Sequence, residues 1–413
     1  MTSVVQAIAP ARLGRNFRLL LASSWLSNLG DGLSLAAGPL LVASQTDDPL
    51  LVAAAAFLQR LPWLLFGLFA GVVADRVDRR VVVVVADTSR TLVLAVLAIT
   101  VVTDTVNVAV VLSAMFLLGT AEAFADVTTT TVLPMLIEPE DLGLGNSRLM
   151  VGHITANQLV GPPIGALLFA SGMAWPFVMQ GVLLAFGASL MWRIAGTRPT
   201  TSEVPETVRR QIVDGLHHLW SNPPVRTLAI TIVAFNVTFG AAWSVLVLYS
   251  SERLGLGALG FGLLTTVSAV GGIVGSWAYP AIERRVHLGD IMRVGLVIET
   301  ATHLTLALTT TPAVAMVTFT VFGVHTAVWG TTATSIRQRA VPTEFQGRVG
   351  SVYMIGLQAG LVVGAVLGGV IAQRWGITAP FWFAFVGSAI ILVAIWSSLT
   401  QIAHDDEGAA ARS

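Results

Sequence analysis

Asp31 stands about fourteen residues from either end of a long apolar run, flanked by Gly30 and Gly32. A carboxylate at that depth can hold a proton or a cationic ligand in one state and release it in another, and intramembrane charges by default face a protein interior. Arg60 lies at comparable depth in the next apolar run, two residues before Pro62. Two readings of Asp31 stay open: a proton carrier, or one half of a static Asp31–Arg60 pair. Glu122 and Asp126 are four apart and share one helix face, where two adjacent carboxylates cannot both ionise cheaply. Asp87 and Arg90, three apart, can satisfy each other, and Arg90 or Arg79 can also pair with Asp126. Glu299 and His303 are again four apart, with His325 further on. Histidine changes charge near neutral pH. A metal would need convergent ligands, which this spacing does not supply, so no metal is expected.

Other chemistries are excluded. The 23 basic residues are all arginine, which removes the lysine of a Walker A loop and any Schiff-base lysine. Cysteine is absent, and with it thiolate nucleophiles and thiolate metal sites. Neither HExxH nor GxSxG occurs. No enzyme, no catalytic residue and no cofactor is expected, and a net charge of zero gives no case for nucleic acid.

These residues need a membrane to hold them. Of 413 residues, 54% are hydrophobic and only 11% charged, against about 25% charged in soluble domains. Mean hydropathy is +0.78. A helix needs about 20 apolar residues to cross a bilayer. Stretches of that kind run 17–44, 50–74, 81–103, 108–133, 147–170 and 176–196, then 226–250, 259–282, 290–310, 313–336, 348–373 and 380–402. The fold class expected is therefore all-α integral membrane, with twelve spans in two six-helix bundles. Arginine position orients them. Arg12, Arg15 and Arg18 precede span one, and Arg76, Arg79 and Arg80 follow span two. Others cluster after spans four, six, eight and ten, while the opposite loops hold only Arg253 and Arg374. Both termini are expected on the cytoplasmic side of the cell membrane, and the N-terminal run reads as a retained span.

Three regions follow: an N-terminal bundle 1–196, a cytoplasmic linker 197–225 and a C-terminal bundle with a short tail, 226–413. In the linker, Val208, Ile212, Leu216, Leu219 and Trp220 recur at helical spacing opposite Arg209, Arg210, Asp214 and His217. That pattern predicts an amphipathic helix on the membrane face, stopped by Pro223 and Pro224; a tether is the alternative. The halves repeat weakly in parallel: Gly71–Arg80 closes span two as Gly275–Arg285 closes span eight. Two parallel six-span repeats are a secondary-transporter architecture with substrate between them.

The run Gly71-Val-Val-Ala-Asp75-Arg76-Val-Asp78-Arg79-Arg80 resembles the cytoplasmic loop signature of the major facilitator superfamily. Gly161-Pro162-Pro163-Ile164-Gly165 in span five resembles its antiporter motif. Asp214–Pro223 and Val341–Arg348 resemble the corresponding segments of the enterobactin-exporter and macrolide-efflux branch of drug:proton antiporters. The chain departs from the pattern in places: Asp78 stands where glycine is frequent, and Asn157 and Ala166 replace motif glycines. Leu117, Leu118 and Gly119 occupy the part of span four where many proton-coupled exporters have an arginine.

The resemblance implies a multi-pass transporter working by alternating access. Asp75 would latch near Gly347 and Arg348 at the start of span eleven, where a helix N-terminus suits a carboxylate, with Arg76, Arg79 and Arg80 completing the latch. Gly161, Pro162 and Gly165 would bend span five and let helices approach closely. Spans three, six, nine and twelve would lie outside the cavity, whereas Trp25, Asn28, Arg60, Asn236, Trp243, Trp329 and Gln358 lie on spans that can line it. Asp31 is the first candidate for proton coupling and Glu122 the second. The expected activity is proton-driven efflux of a bulky amphipathic compound such as an antibiotic, siderophore or other secondary metabolite. Import of a small solute, or a non-transporting sensor, are the alternatives. The partners would be that substrate, protons and the lipid bilayer, with a monomer as the working unit.

Overall fold

The computed structural model describes residues 11–138, 141–195, 208–341 and 343–398, which are almost wholly helical. In chain order the helices are α1 (Gly14–Gln45), α2 (Pro49–Arg76), α3 (Arg79–Val102) and α4 (Val108–Val132). Next comes α5, built of Leu142–Gly152, π-helical turns at His153–Val160 and Gly161–Ser171, followed by α6 (Trp175–Trp192). The short α7 (Val208–Ser221) leads to α8 (Pro223–Trp243), α9 (Ala258–Glu283), α10 (Leu288–Leu308), α11 (Pro312–Ala340), α12 (Thr343–Trp375) and α13 (Ala379–Ile395).

Among the described residues nine of these are long and apolar enough to cross a bilayer. The remaining expected spans coincide with α1, whose 32 residues carry polar groups at mid-length, the interrupted α5, and the 17-residue α13. The chain is a multi-pass membrane protein. Helix starts have local causes. Asp78 accepts a hydrogen bond from the Arg80 N–H, and Asn107 accepts one from that of Val110. Asn222 caps α8 ahead of Pro223 and Pro224. Such caps satisfy donors that a helix N-terminus otherwise leaves free. Outward faces are apolar: Leu92, Val96, Ile99 and Val102 recur along α3 and are exposed, as lipid contact demands.

The chain divides into two compact units. The first comprises residues 1–47, 58–204 and 257–266; the second comprises 48–57, 205–256 and 267–413. Packing inside them follows one scheme. In the first unit α1 packs on α5 and α6, and α3 on α4 and α6; in the second, α8 packs on α12 and α13, and α10 on α11 and α13. In lipid, helix association depends on close fit because tails are as apolar as leucine. Glycine provides that fit at equivalent crossings. A Cβ on Gly165 would overlap the backbone at Leu33, and one on Gly364 or Gly368 would overlap Val237 or Ala241.

The linker helix α7 forms, and it docks on α12 in the second unit. Among the described side chains, its docked face shares only Leu219 with the apolar stripe read from spacing. Gly215 sits against the Arg348 backbone, Leu219 is buried, and His218 stacks on Phe345 at 4.7 Å. Arg348 Nη1 donates to Asp214 Oδ2 at 3.2 Å. Leu216 and Trp220, on the stripe read from spacing, are exposed.

Candidate functional site

Five helices bring polar residues of the first unit into one cluster. α3 contributes Asp87 and Arg90, 1% and 2% exposed. Arg90 Nη1 donates to Asp87 Oδ1 at 3.2 Å, and Nη2 pairs with Asp31 of α1. Asp31 Oδ1 also accepts from Gln180 Nε2 of α6 at 3.2 Å, while Gln180 Oε1 accepts from the Ser34 hydroxyl. The partner of Asp31 is thus Arg90, not the Arg60 expected from matching depth. Arg60 is exposed and lies in the electrostatic reach of Glu122 on α4. Glu122 in turn shares the field of Asp31, Arg90 and Asp87. Asp126, one turn on and exposed, feels the same groups.

The charge balance of this cluster is its chemistry. Among the described residues Arg60 and Arg90 are the guanidiniums in the electrostatic reach of Asp31, Asp87, Glu122 and Asp126, and guanidinium cannot lose its charge. Full ionisation would leave two uncompensated negative charges in a membrane-embedded site, where unpaired charge is costly. Protons or a cationic ligand can offset that excess, and losing either restores it.

Beside this cluster α1 and α5 share a second network. His153 Nδ1 lies 2.8 Å from Asn28 Oδ1, and Gln158 Nε2 lies 3.2 Å from His153 Nε2. Those partners assign a neutral imidazole that donates from Nδ1 and accepts at Nε2. His153 opens the π-helical stretch that ends at Gly161, whose N–H reaches back to Ala156 O. Pro162 and Pro163 lack the N–H groups that α-helical bonding to Gln158 and Leu159 would require, and the wider turns take up that break. Gly161 packs on Gly32, and Gly152 on the indole of Trp25.

In the second unit Trp243 stacks on Phe239 at 4.3 Å and meets Phe322 in a tilted contact at 4.9 Å. Trp329 is buried against Gly295. Asn236 Nδ2 donates to the Ile232 carbonyl at 2.7 Å, and its Cβ faces Gly360 of α12, the helix that also carries the half-buried Gln358. The cavity candidates of this unit therefore fall in two places, Trp243 and Trp329 among aromatic packing and Asn236 and Gln358 at the α8–α12 crossing.

Around the loop after α2, Gly71 has open space beside it and Arg76 is exposed. Asp78 caps α3 and pairs with Arg80 at 3.5 Å. Arg80 Nη1 also donates to the Trp192 and Ile194 carbonyls at 3.3 Å, with its guanidinium 4.7 Å from the Trp192 ring centroid. Arg79 reaches the sulfur of Met135. The Asp75 side chain lies outside the described residues, so its latch role is not seen directly.

Residues 5–412 match the model of the transmembrane secretion effector family of the major facilitator superfamily. The chain belongs to that family. It is a membrane transporter and not an enzyme. Among its relatives, the multidrug efflux pump Tap of Mycolicibacterium fortuitum is 28% identical over 383 residues, covering 88% of this chain and 90% of Tap. Macrolide efflux protein A of Streptococcus pyogenes is 22% identical over 373 residues, covering 86% of this chain and 88% of that protein. The fold matches the nucleoside transporter NupG with a TM-score of 0.71 at 14% identity, over 94% of this chain and 99% of NupG. A bacterial homologue of the iron transporter ferroportin, in its inward-facing state, gives 0.73 at 18% identity, over 94% and 98%.

For this secretion effector, sequence reasoning missed His153 and Gln180. His153 carried one usable signal: an imidazole inside an apolar span, eight residues before a Gly-Pro-Pro bend. Gln180 carried none, because only helix rotation reveals that it faces Asp31.

Proposed function

We propose that the protein exports bulky amphipathic compounds in exchange for protons, by alternating access of two six-helix halves, 1–196 and 226–413. The observation that carries this is the first-unit cluster of four carboxyls around two guanidiniums. Such a cluster takes up protons when its negative excess is confined and gives them up when an arginine or a cationic substrate approaches. The efflux activity named for the mycobacterial and streptococcal relatives supplies the direction.

Asp31 is the first coupling candidate. Its carboxylate holds Arg90 and Gln180, so protonation there would loosen contacts linking α1, α3 and α6. Glu122, between Arg60 and the Asp31 group, is the second. Alternating access requires that substrate and proton bind the two states unequally, and a carboxylate whose arginine partner moves meets that condition. Trp25, Asn28, Arg60, Asn236, Trp243, Trp329 and Gln358 are the substrate-facing candidates. Asp75 with Arg76, Arg79 and Arg80 would form the cytoplasmic latch, and Gly161, Pro162 and Gly165 would keep α5 close to α1 during the motion. The protein works as a monomer in the cytoplasmic membrane with both termini inside.

The test is growth and dye accumulation in an efflux-deficient bacterial host exposed to antibiotics and dyes. Wild type and Asp31→Asn are compared at matched membrane expression, with and without a protonophore. Protection that is lost in the variant and under the protonophore is expected. Equal protection in Asp31→Asn would remove Asp31 from coupling and move the role to Glu122, and protection that ignores the protonophore would overturn proton exchange.

A further inference from the structure

The second unit holds a titratable cluster that the exchange scheme above leaves unused. Glu299 and His303 are buried one turn apart on α10, and His325 is buried on α11. His325 Nε2 lies 3.2 Å from Glu299 Oε2. Three ring nitrogens here, His325 Nδ1 and both of His303, are buried without a hydrogen-bond partner. A buried polar atom left unsatisfied is costly, so native interiors seldom retain one without use. The edge of Trp243, 6.1 Å from His303 between ring centroids, covers one side with carbon.

Among the described residues His325 is the partner of the Glu299 carboxylate, and no arginine lies within ion-pair distance of it. On α10 itself the other ionisable groups are Asp290 and Arg293, within its first two turns, and on α11 they are Arg337 and Arg339, in its last turn. The neighbouring α8 carries Arg226 near its start, α9 carries Tyr279 and Glu283 near its end, and α13 carries none. Each lies remote along its helix from the Glu299–His325 pair. With His325 neutral, its Nε2–H donates to an ionised Glu299, its Nδ1 lone pair receives no donor, and the pair carries one negative charge.

We propose that Glu299, His325 and His303 form a second proton-binding site, separate from the Asp31 cluster. A proton delivered by hydronium forms an N–H bond at His325 Nδ1 and leaves water behind. The pair becomes a neutral carboxylate–imidazolium couple, and the one lone-pair nitrogen of a neutral His303 is the acceptor proposed for the new N–H. The arrangement gives a use to two of the unpaired ring nitrogens, His325 Nδ1 as the seat of the proton and one nitrogen of His303 as acceptor of the bond it donates. Proton binding here stands on its own, while its contribution to export rests on the exchange proposed above.

The experiment follows the ring resonances of isotope-labelled histidine in the full chain, purified in lipid nanodiscs, from about pH 5 to 9. His303→Asn and His325→Asn assign the signals among the 7 histidines. A titrating His325 signal is expected, with Glu299→Gln, a near-isosteric change, moving its midpoint by at least about one pH unit, a tenfold change in proton affinity. A His325 signal that stays fixed across the range overturns the site, and so does a midpoint unchanged by Glu299→Gln. Should either histidine variant fail to fold, the wild-type and Glu299→Gln titrations decide together: one histidine midpoint that differs between them supports the site, and identical sets of midpoints overturn it. Ethidium efflux from proteoliposomes of the same preparation separates the two proposals: titration without efflux supports the site and removes the transport function it was attached to.

Discussion

The two units bury carboxylates beside different bases, and the bases set what each cluster can do. In the first unit Asp31 and Asp87 are held by Arg90, which is 2% exposed and permanently charged. In the second, Glu299 is held by His325, whose charge can come and go. Where the base is fixed, proton exchange has to occur on the carboxyls, and the arginine acts as scaffold and as electrostatic reference. Where the base is an imidazole, the base itself takes the proton. Equivalent helix packing in the two units thus carries two unlike polar interiors, one built on a permanent cation and one on an imidazole.

That contrast is broken most directly at Arg90. Arg90→Ala leaves Asp31 and Asp87 without their cation, and removing one partner of a buried pair costs about 3–5 kcal/mol. Monodisperse protein recovered after detergent extraction should fall to a small fraction of wild type; normal yield and melting temperature would show that the arginine is no scaffold. His325→Asn should be milder, about 1–3 kcal/mol, visible as a lowered Tm in lipid nanodiscs with folded protein retained. If the two variants were equally damaging, the distinction between scaffold and titratable base would fail. Gly165→Ala probes the fit that both units share: a Cβ there meets the Leu33 backbone, and overpacking of this kind costs about 1–3 kcal/mol. Its thermal shift should exceed that of Gly71→Ala, where the side is open. Smallest of all, Asp214→Asn on α7 removes a half-exposed ion pair with Arg348. It should change Tm by no more than about 1 kcal/mol equivalent, while any efflux defect would mark the docked linker as part of the working cycle.

Much of the fold was legible because the bilayer enforces helix length and polarity. Apolar runs bounded by Asp78, Asn107 and Pro223 became helices at those residues. The Gly-Pro-Pro run announced a break in α5, though not that it would be spread over π-helical turns upstream. Site residues were found singly, since each is a charge in an apolar run, but their partners were not. Asp31 and Arg60 match in depth, which is all that spacing reports. Rotation of α3 about its axis is what turns Arg90 toward Asp31, and rotation depends on packing between helices far apart in sequence. For the same reason Gln180 went unseen, and the docking of α7 on α12 was not foreseen. Its hydrophobic spacing points to lipid, whereas Gly215, with no side chain, permits the close approach to α12.

Proton exchange through the Asp31 cluster is tested most directly in proteoliposomes that enclose a pH-sensitive dye. With the membrane potential clamped, an ethidium gradient is imposed and proton movement in the opposite direction is followed. Wild-type protein should move protons against the ethidium flux, and Asp31→Asn, equally well folded, should move none. Ethidium flux without proton movement in the wild type, or equal proton movement in both proteins, would contradict carboxylate-borne exchange at Asp31.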